Sequence, residues 1–336
     1  MTAPAGELRF AMVGCGGRAR VHAPVAASRN DFGIASWLDT VPEKAAELAG
    51  QYGGGVASSW EAVLTDGTLD GVVVALPHDL HHEYGMAALR AGKHVMMEIP
   101  IAATPAESRE MTAAADKAGL VLLVLHSLRF WESHRLVARI VASGEVGAPI
   151  FLRYHNEHTV PDGYFALQPG HFAAEAGVLH HGDIVRWWGG EVSAVTARGL
   201  SIGPTARQHG TFDHITVLYD IAGGALAETT CSWVTRTCPQ NRFIRGSVTC
   251  TKGSVALTYD DEIRLFSPDR KPEDGERYTV LEPDGPNRPA GEITHFADCI
   301  RGSATPVISP QDALHALQLA LAARESAREN RRVVLA

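Results

Sequence analysis

Between residues 8 and 126, five short apolar runs alternate with helical patterns, and this alternation restricts the chain more than any other feature. LRFAMVG (8–14), FGIASWLD (32–39), GVVVAL (71–76), HVMMEIP (94–100) and LVLLVLH (120–126) each read as a strand buried on both faces. Helical stretches fill the gaps at 18–28, 41–52, 80–91 and 105–118. The last begins with a capping box, Thr104-Pro105-Ala106-Glu107, places proline at its first helical position and stops at Gly119. Strand, helix, strand repeated in this way predicts a parallel sheet with helices on both faces, an α/β Rossmann arrangement over residues 1–125.

After residue 125 the texture changes. A helix near 131–143, closed by Gly144, leads into the long strand PIFLRYHNEHTV, and 172–188 reads as a further helix. Strand-like runs then follow at 191–200, 212–220, 225–234, 243–251, 254–259 and 262–267, with Gly, Pro and Asp in the turns. The pattern predicts a second, α+β domain over 126–336 with a large, mostly antiparallel open sheet and helices on one face. Residues 268–290 read as a surface loop. A last helix starts at Pro310, capped by Ser309, with Leu314, Leu317 and Leu321 as its apolar stripe.

Bulk properties narrow the partners. A formal charge of −8 lacks the basic face that phosphate backbones require, so nucleic acid is not expected. No apolar run reaches the length of a membrane span, and the first residues lack the pattern of a secretory signal. Five cysteines without a CxxC pair favour reduced thiols over disulfides or zinc, so the expected location is the cytoplasm.

The first strand runs into Gly14-Cys15-Gly16-Gly17-Arg18-Ala19, which fits the dinucleotide fingerprint G-x-G-x-x-G/A. Gly14 permits the tight turn, Gly16 lets a pyrophosphate approach the backbone, and Ala19 is small enough for helix and strand to pack. The following helix N-terminus offers free N–H groups to an anion. Asp39 ends the second strand, where a carboxylate accepts hydrogen bonds from an adenosine ribose and repels a 2′-phosphate. Thr40 and Val41 follow it, not an arginine, so NAD is favoured over NADP. Asp39 can equally cap the helix at 41–52, and the two roles are compatible.

Three stretches resemble the glucose–fructose oxidoreductase / inositol dehydrogenase / MocA family: the glycine turn running into His22, ALPHDLHHEYGMAALRAGKHVMMEIP (75–100), and the closing segment 295–335. The resemblance spans essentially the whole chain. It implies a cofactor–sugar cleft between the two domains, NAD(P) chemistry on a sugar, cyclitol or similar polyol, and homodimers or homotetramers built on the open sheet. It also implies that Leu76, Pro77, His78 and His81 lie on the loop covering the nicotinamide. Glu98, Ile99 and Pro100 take the place of the family's Glu-Lys-Pro triplet. Asp79 is expected to cap the helix that follows, and His82 to meet solvent.

The match fails where protons are handled. The lysine position of the triplet is Ile99, which offers no donor and no charge. Aligning AAEAGVLHHGDIVRWW on H-x-x-D-x-x-x-W puts His180, Asp183 and Trp187 in register and leaves Ala176 at the family's aspartate. A positioned acid–base group contributes about 10²–10⁴-fold, roughly 3–5 kcal/mol of barrier, so an unchanged mechanism does not survive two such losses. His180 is the first candidate to manage the proton. Its neighbour His181 points about 100° away on the helix and is expected to be structural. Asp183 can orient His180 or pair within the helix bundle. Tyr164 can act as acid or base, or serve only as an aromatic lid. Arg129 and Trp131, just past the last Rossmann strand, are candidate substrate contacts, as are His155 and Glu157 on one strand face. His155, Glu157 and His158 of this strand, with His180 and His171, could hold a divalent metal, but mixed polar residues facing a cleft are the commoner reading of such a strand and no metal is expected.

Three readings remain open. The first is an NAD-dependent oxidoreductase of a secondary alcohol or ketone. The second is a redox-neutral glycoside hydrolase or lyase working by transient oxidation and elimination, with the cofactor recycled. The third is a non-catalytic dinucleotide-binding protein.

Overall fold

The structure is a computed structural model in which residues 7–159, 173–234, 242–258, 262–270, 277–285 and 291–335 are described. The chain divides into two compact units, Met1–Ser127 with Arg288–Leu314, and Leu128–Asn287 with His315–Ala336. The return of 288–314 to the first unit has no local signal, and a single boundary near residue 125 does not foresee it.

The first unit holds a six-stranded parallel sheet of order β3-β2-β1-β4-β5-β6. Its strands are β1 (Leu8–Val13), β2 (Phe32–Leu38), β3 (Gly55–Val56), β4 (Gly71–Val74), β5 (His94–Met97) and β6 (Leu122–Val124). Five are the apolar runs read from the sequence. The sixth, β3, is two residues long and too short to show a period. Helices α1 (Ala19–Ala27), α2 (Pro42–Tyr52), α3 (Trp60–Thr65), α4 (His81–Arg90) and α5 (Pro105–Ala118) connect them. The capping box of α5 forms as expected, Thr104 accepting from Glu107 N–H and Glu107 from Thr104 N–H, and Gly119 takes the left-handed conformation. The expected cap at Asp79 does not form. A 3₁₀ turn, His78–Leu80, enters α4 instead, and Leu80 makes no side-chain cap. His82, expected in solvent, lies 3.0 Å from Glu110.

Packing explains why these runs are so apolar. Phe10, Met12, Val73, Met96 and Leu123 are fully or almost fully buried in one core with Trp37 and Leu48, and Phe296 from the returning segment joins them. Two polar side chains beside this core find backbone partners. Lys93 Nζ donates to the carbonyls of Asp66 and Leu69, and His94 Nδ1 accepts from Val121 N–H at 2.9 Å, so that imidazole must be neutral.

The second unit is built on a nine-stranded sheet of order β14-β13-β12-β11-β7-β10-β9-β8-β15. Its strands are β7 (Pro149–His158), β8 (Val192–Leu200), β9 (His214–Ile221), β10 (Leu226–Ser232), β11 (Arg242–Cys250), β12 (Ser254–Leu257), β13 (Ile263–Phe266), β14 (Thr279–Leu281) and β15 (Val333–Val334). Among the described residues of this sheet, β7 and β10 alone pair parallel. The sheet is therefore mostly antiparallel, as the run of closely spaced strands predicts. The stretch 268–290 is not loop throughout, because β14 lies within it. Helices α6 (Glu132–Ser143), α7 (Ala173–Gly189), the short α8 (Pro204–Gln208), α9 (Glu292–Ile300) and α10 (Pro310–Glu329) complete the chain, α9 within the first unit.

Strand alternation sorts the two faces of this sheet. Leu152 and Tyr154 of β7 and Tyr219 of β9 are fully buried, with Gly246 of β11 against Trp188 of α7. On the opposite face Leu218, Leu226, Phe266 and Val280 keep 51%, 49%, 55% and 47% of their surface exposed. The helix-facing side is packed tightly: a Cβ on Gly177 of α7 would lie 2.1 Å from Cys231 Sγ of β10.

One stability consequence follows from the buried imidazoles. His134 of α6 is fully buried, and burial, then the nearby charge of His180, pushes it down to about 3. His94 is lowered by burial as well. Because the folded values lie below the unfolded value of about 6.5, the unfolded chain binds more protons below that pH. Stability is thus full above about pH 6.5 and falls as pH drops toward about 3. Urea unfolding should show His134 alone contributing about 2 kcal/mol of loss between about pH 7.5 and about pH 5. His134→Gln should flatten that slope by a similar amount; an unchanged slope would show that the imidazole is not held neutral.

Candidate functional site

In the first unit the glycine turn has the shape the fingerprint demands. Gly14 adopts φ +94°, and a Cβ there would lie 2.3 Å from the carbonyl oxygen of Ala75, so no side chain fits. Cys15 N–H donates to Asp39 Oδ2 at 2.8 Å, and Val41 N–H donates to Asp39 Oδ1 at 2.8 Å. Asp39 therefore closes the turn and organises the entry to α2 together, through an Asx turn rather than a helix cap. Gly16 and Gly17 are exposed, and nothing lies within 4 Å of where their Cβ atoms would be. Ala19, fully buried, seats α1 against the sheet. This is open space over bare backbone at a helix N-terminus, and it fits a dinucleotide pyrophosphate. Thr40 is exposed beyond Asp39.

Two of the expected cofactor residues have inward tasks. The Cys15 thiol is 1% exposed, lies 3.7 Å from the Leu38 carbonyl, and is pushed up to about 11 by burial and the neighbouring Asp39 charge. It is a packed thiol, so only the backbone of Cys15 faces the turn. His81 does not face a cleft: it is fully buried, with Nδ1 2.6 Å from the Pro100 carbonyl and Nε2 2.9 Å from that of Leu76. It ties the segment after β4 to the segment after β5. Burial pushes it below its ordinary value against the pull of both carbonyls. His78 is half-buried, and burial, then the His81 charge, lowers it to about 3, so it is neutral at working pH. Pro77 is exposed, Leu76 half-buried, and Ile99 only 8% exposed.

Arg18 does not reach out to a phosphate. Its Nε donates to Glu98 Oε1 at 2.6 Å and its Nη2 to Glu292 Oε2 at 2.8 Å. His22, one turn further along α1 and 1% exposed, places Nε2 3.6 Å from Glu98 Oε1 and 3.8 Å from Glu292 Oε2. Burial would raise Glu98, but the adjoining His22 and Arg18 outweigh it and hold that carboxyl at about 2. Glu292, fully buried, is raised by burial despite Arg18.

The second unit gathers a polar centre around α7. Arg129, from the turn before α6, forms a bidentate pair with Asp183, Nε to Oδ2 at 2.8 Å and Nη2 to Oδ1 at 2.7 Å, with Asp183 1% exposed. The guanidinium lies 5.0 Å over the Trp187 ring. Of the two roles open to Asp183, the geometry supplies the pairing one, and the same pair engages Arg129, which the sequence reading offers to substrate. His181 is fully buried with its ring 5.0 Å from that of Tyr154, a structural placement. His180 alone among the polar trio of α7 keeps some exposure. His134 Nε2 lies 2.8 Å from Tyr154 Oη and its Nδ1 3.1 Å from Ser133 Oγ, with Trp131 edge-on at 5.5 Å.

His155 and Glu157 do not join this centre. They alternate with Tyr154 along β7 and so stand on the far side of the sheet from α7, in register with Thr230 and Ser232 of β10. The metal grouping of His155, Glu157 and His180 therefore has a sheet through its middle, and among the described residues no three His, Cys, Asp or Glu are placed to hold a metal. Tyr164 and His171 lie outside the described residues. Ala176 is 8% exposed.

Sequence reasoning assigns no role to His22, His134, Tyr154 or Glu292. The spacing of Arg18 and His22, one helical turn, is a readable signal that they share a face. Glu292 has no local signal, because its partner Arg18 is 274 residues away.

The Arg129–Asp183 pair makes a sharp expectation. Asp183→Ala leaves a buried guanidinium without its carboxylate and should cost about 3–5 kcal/mol in chemical unfolding. The double variant Arg129→Met with Asp183→Leu should recover most of that loss. A small cost for the single variant would mean that Asp183 is held for chemistry and not for packing.

Two family descriptions match the chain in succession, "Oxidoreductase family, NAD-binding Rossmann fold" over residues 8–126 and "GFO/IDH/MocA C-terminal domain" over residues 134–256. The scyllo-inositol 2-dehydrogenase (NAD(+)) of Bacillus subtilis (strain 168) is 25% identical over 287 residues, 81% of this chain and 80% of that protein. The levoglucosan dehydrogenase of Pseudarthrobacter phenanthrenivorans is 29% identical over 285 residues, 75% of this chain and 71% of that protein. A crystal structure of an oxidoreductase from Agrobacterium radiobacter, in complex with NAD+, L-tartaric acid and magnesium, has a TM-score of 0.84 at 23% identity over 98% of each chain, a likeness of fold. With the turn, the parallel sheet and the open second sheet all in place, the chain belongs to the Gfo/Idh/MocA family of NAD-binding oxidoreductases.

Proposed function

We propose that this protein is an NAD-dependent dehydrogenase of a secondary alcohol, or reductase of the matching ketone, on a small sugar-like ring such as a cyclitol or anhydrosugar. The observation that carries the reading is the turn itself: Gly14 against the Ala75 carbonyl, Asp39 bound to Cys15 N–H, and open space above Gly16 and Gly17. The substrates in the relatives' names, inositol and levoglucosan, support the substrate class.

Bound there, NAD supplies hydride acceptance. Asp39 has carboxylate lone pairs for a ribose and a charge that opposes a 2′-phosphate, which favours NAD over NADP. His180 takes the proton of the reacting hydroxyl, since an imidazole accepts and returns a proton near neutral pH. Ile99 contributes apolar volume where the family carries an amine, so the proton's path does not run through the triplet. Arg129 and Asp183 act as a positioning pair beneath His180, three residues along the same helix. Tyr164 stays a candidate second proton group, and Trp131 a candidate aromatic contact.

The exposed apolar side chains Leu200, Leu218, Leu226 and Phe266 on the uncovered sheet face, interspersed with Arg153 and Glu228, favour pairing with a second copy of the chain through that face, as a homodimer or a homotetramer. His155 and Glu157 stand on this face, which suits them to that contact better than to substrate.

Purified protein incubated with NAD and a panel of cyclitols, anhydrosugars and glycosides should accumulate reduced nicotinamide with at least one of them. His180→Ala should lower kcat by about 10²–10⁴-fold with NAD affinity unchanged. Full turnover in that variant would refute the proton assignment. Bond cleavage with coenzyme retained and no net reduction would replace this reading with the hydrolase or lyase cycle. Coenzyme binding without any turnover would replace it with a binding protein. Light scattering should report an oligomer that Leu218→Arg reduces to monomer; a monomeric parent protein would remove the sheet-face reading.

A further inference from the structure

We propose that Glu292 is a positioning residue for the dinucleotide turn: it holds Arg18 back from the pyrophosphate and keeps one proton in a buried cluster that must be electrically neutral for NAD to bind tightly. This rests on the reading that NAD occupies the turn.

The argument begins with charge. Four ionisable groups meet beneath the N-terminus of α1: Arg18 and His22 from α1, Glu98 from the segment after β5, and Glu292 from the first turn of α9. Ser127 lies 3.4 Å from Arg18 Nη2 and also adjoins Glu292. The charge of Glu98 is felt by His78 and His81, and burial keeps both of those imidazoles low. Two carboxylates thus face one guanidinium. With both ionised and His22 neutral, the cluster carries a net charge of −1 in a site where Glu292 and His22 are 0% and 1% exposed. A buried uncompensated charge is costly, and the cheaper state is one proton taken up by the cluster.

The groups are not equal in their hold on that proton. Arg18 grips Glu98 through Nε, and His22 adjoins the same oxygen. Glu292 receives the Nη2 bond and is adjoined by Ser127, while its Oε1 is buried with no hydrogen-bond partner among the described residues. Glu292 is accordingly raised and Glu98 lowered. With that proton on Glu292, the total charge is zero.

The consequence for the turn is direct. The pyrophosphate is an anion, and its binding site is the end of the helix that carries this cluster. A net negative charge there opposes it, while a neutral cluster leaves the helix N-terminus free to act. Arg18, at the fingerprint position beside the phosphates, cannot itself compensate while both its arms are held. Coenzyme binding and proton retention by the cluster are therefore linked and reciprocal.

Calorimetric titration of the whole protein with NAD at about pH 6.5 and about pH 9 tests this. The parent protein should bind NAD about tenfold more weakly at the higher pH, a size typical of coupled sites. Glu292→Gln, neutral at every pH and isosteric, should remove that difference and bind as tightly at high pH as the parent does at low pH. Titrating the parent at the higher pH in two buffers of different ionisation enthalpy should show proton uptake on binding, a readout that does not depend on the variant folding. A flat pH dependence in the parent, no proton uptake, or an undiminished dependence in Glu292→Gln would each overturn the inference while leaving NAD binding intact. Absence of NAD binding at both values would overturn the functional reading and the inference together.

Discussion

The approach of Gly14 to the carbonyl of Ala75 is the constraint on which the first unit turns. It brings the end of β1 against the segment after β4 so closely that no Cβ fits, and it does so with a positive φ that only glycine adopts freely. From that contact the chain can turn at once into α1, leaving Gly16 and Gly17 uncovered at the helix N-terminus. Asp39 completes the geometry from the next strand by accepting from Cys15 N–H. A wider turn would still connect strand to helix, but it would not leave a phosphate-sized opening over bare backbone.

Around this turn the charged groups are held inward. Arg18, His22, Glu98 and Glu292 lie in one cluster that joins α1, the triplet ending at Pro100 and the returning segment that starts α9. The second unit follows the same logic with different groups. Arg129 and Asp183 neutralise one another under α7, His134 is fixed by Tyr154 and Ser133, and His181 packs on Tyr154. Each satisfied polar group leaves one imidazole, His180, half-exposed on that helix. The chemistry proposed for the chain depends on this sorting, because a proton group must keep access while its neighbours are locked.

Much of this architecture is legible in the residues. The buried strands, α5 with its box at Thr104 and Glu107, the glycine turn and Asp39 all rest on local rules of period, capping and backbone freedom. The antiparallel second sheet follows from closely spaced strand runs. Less legible were the short elements, β3, α3, α8, β14 and β15, whose few residues carry no period. The placement of His155 and Glu157 was half readable. Alternation correctly puts them on one face, but nothing local says which face α7 will cover, and it covers the other.

What the sequence by itself determined are the features set by neighbours along the chain: the two sheet types, the dinucleotide turn, and the absence of an amine at Ile99. Only the tertiary structure decided which charges meet. Arg18, a member of the fingerprint, pairs with two carboxylates, one of them 274 residues away. Arg129 was offered to substrate and found Asp183. The physical reason is that a long-range ion pair leaves no periodic trace. Its partners are chosen by how helices and strands stack, and burial then decides which charge must be answered and which may stay free.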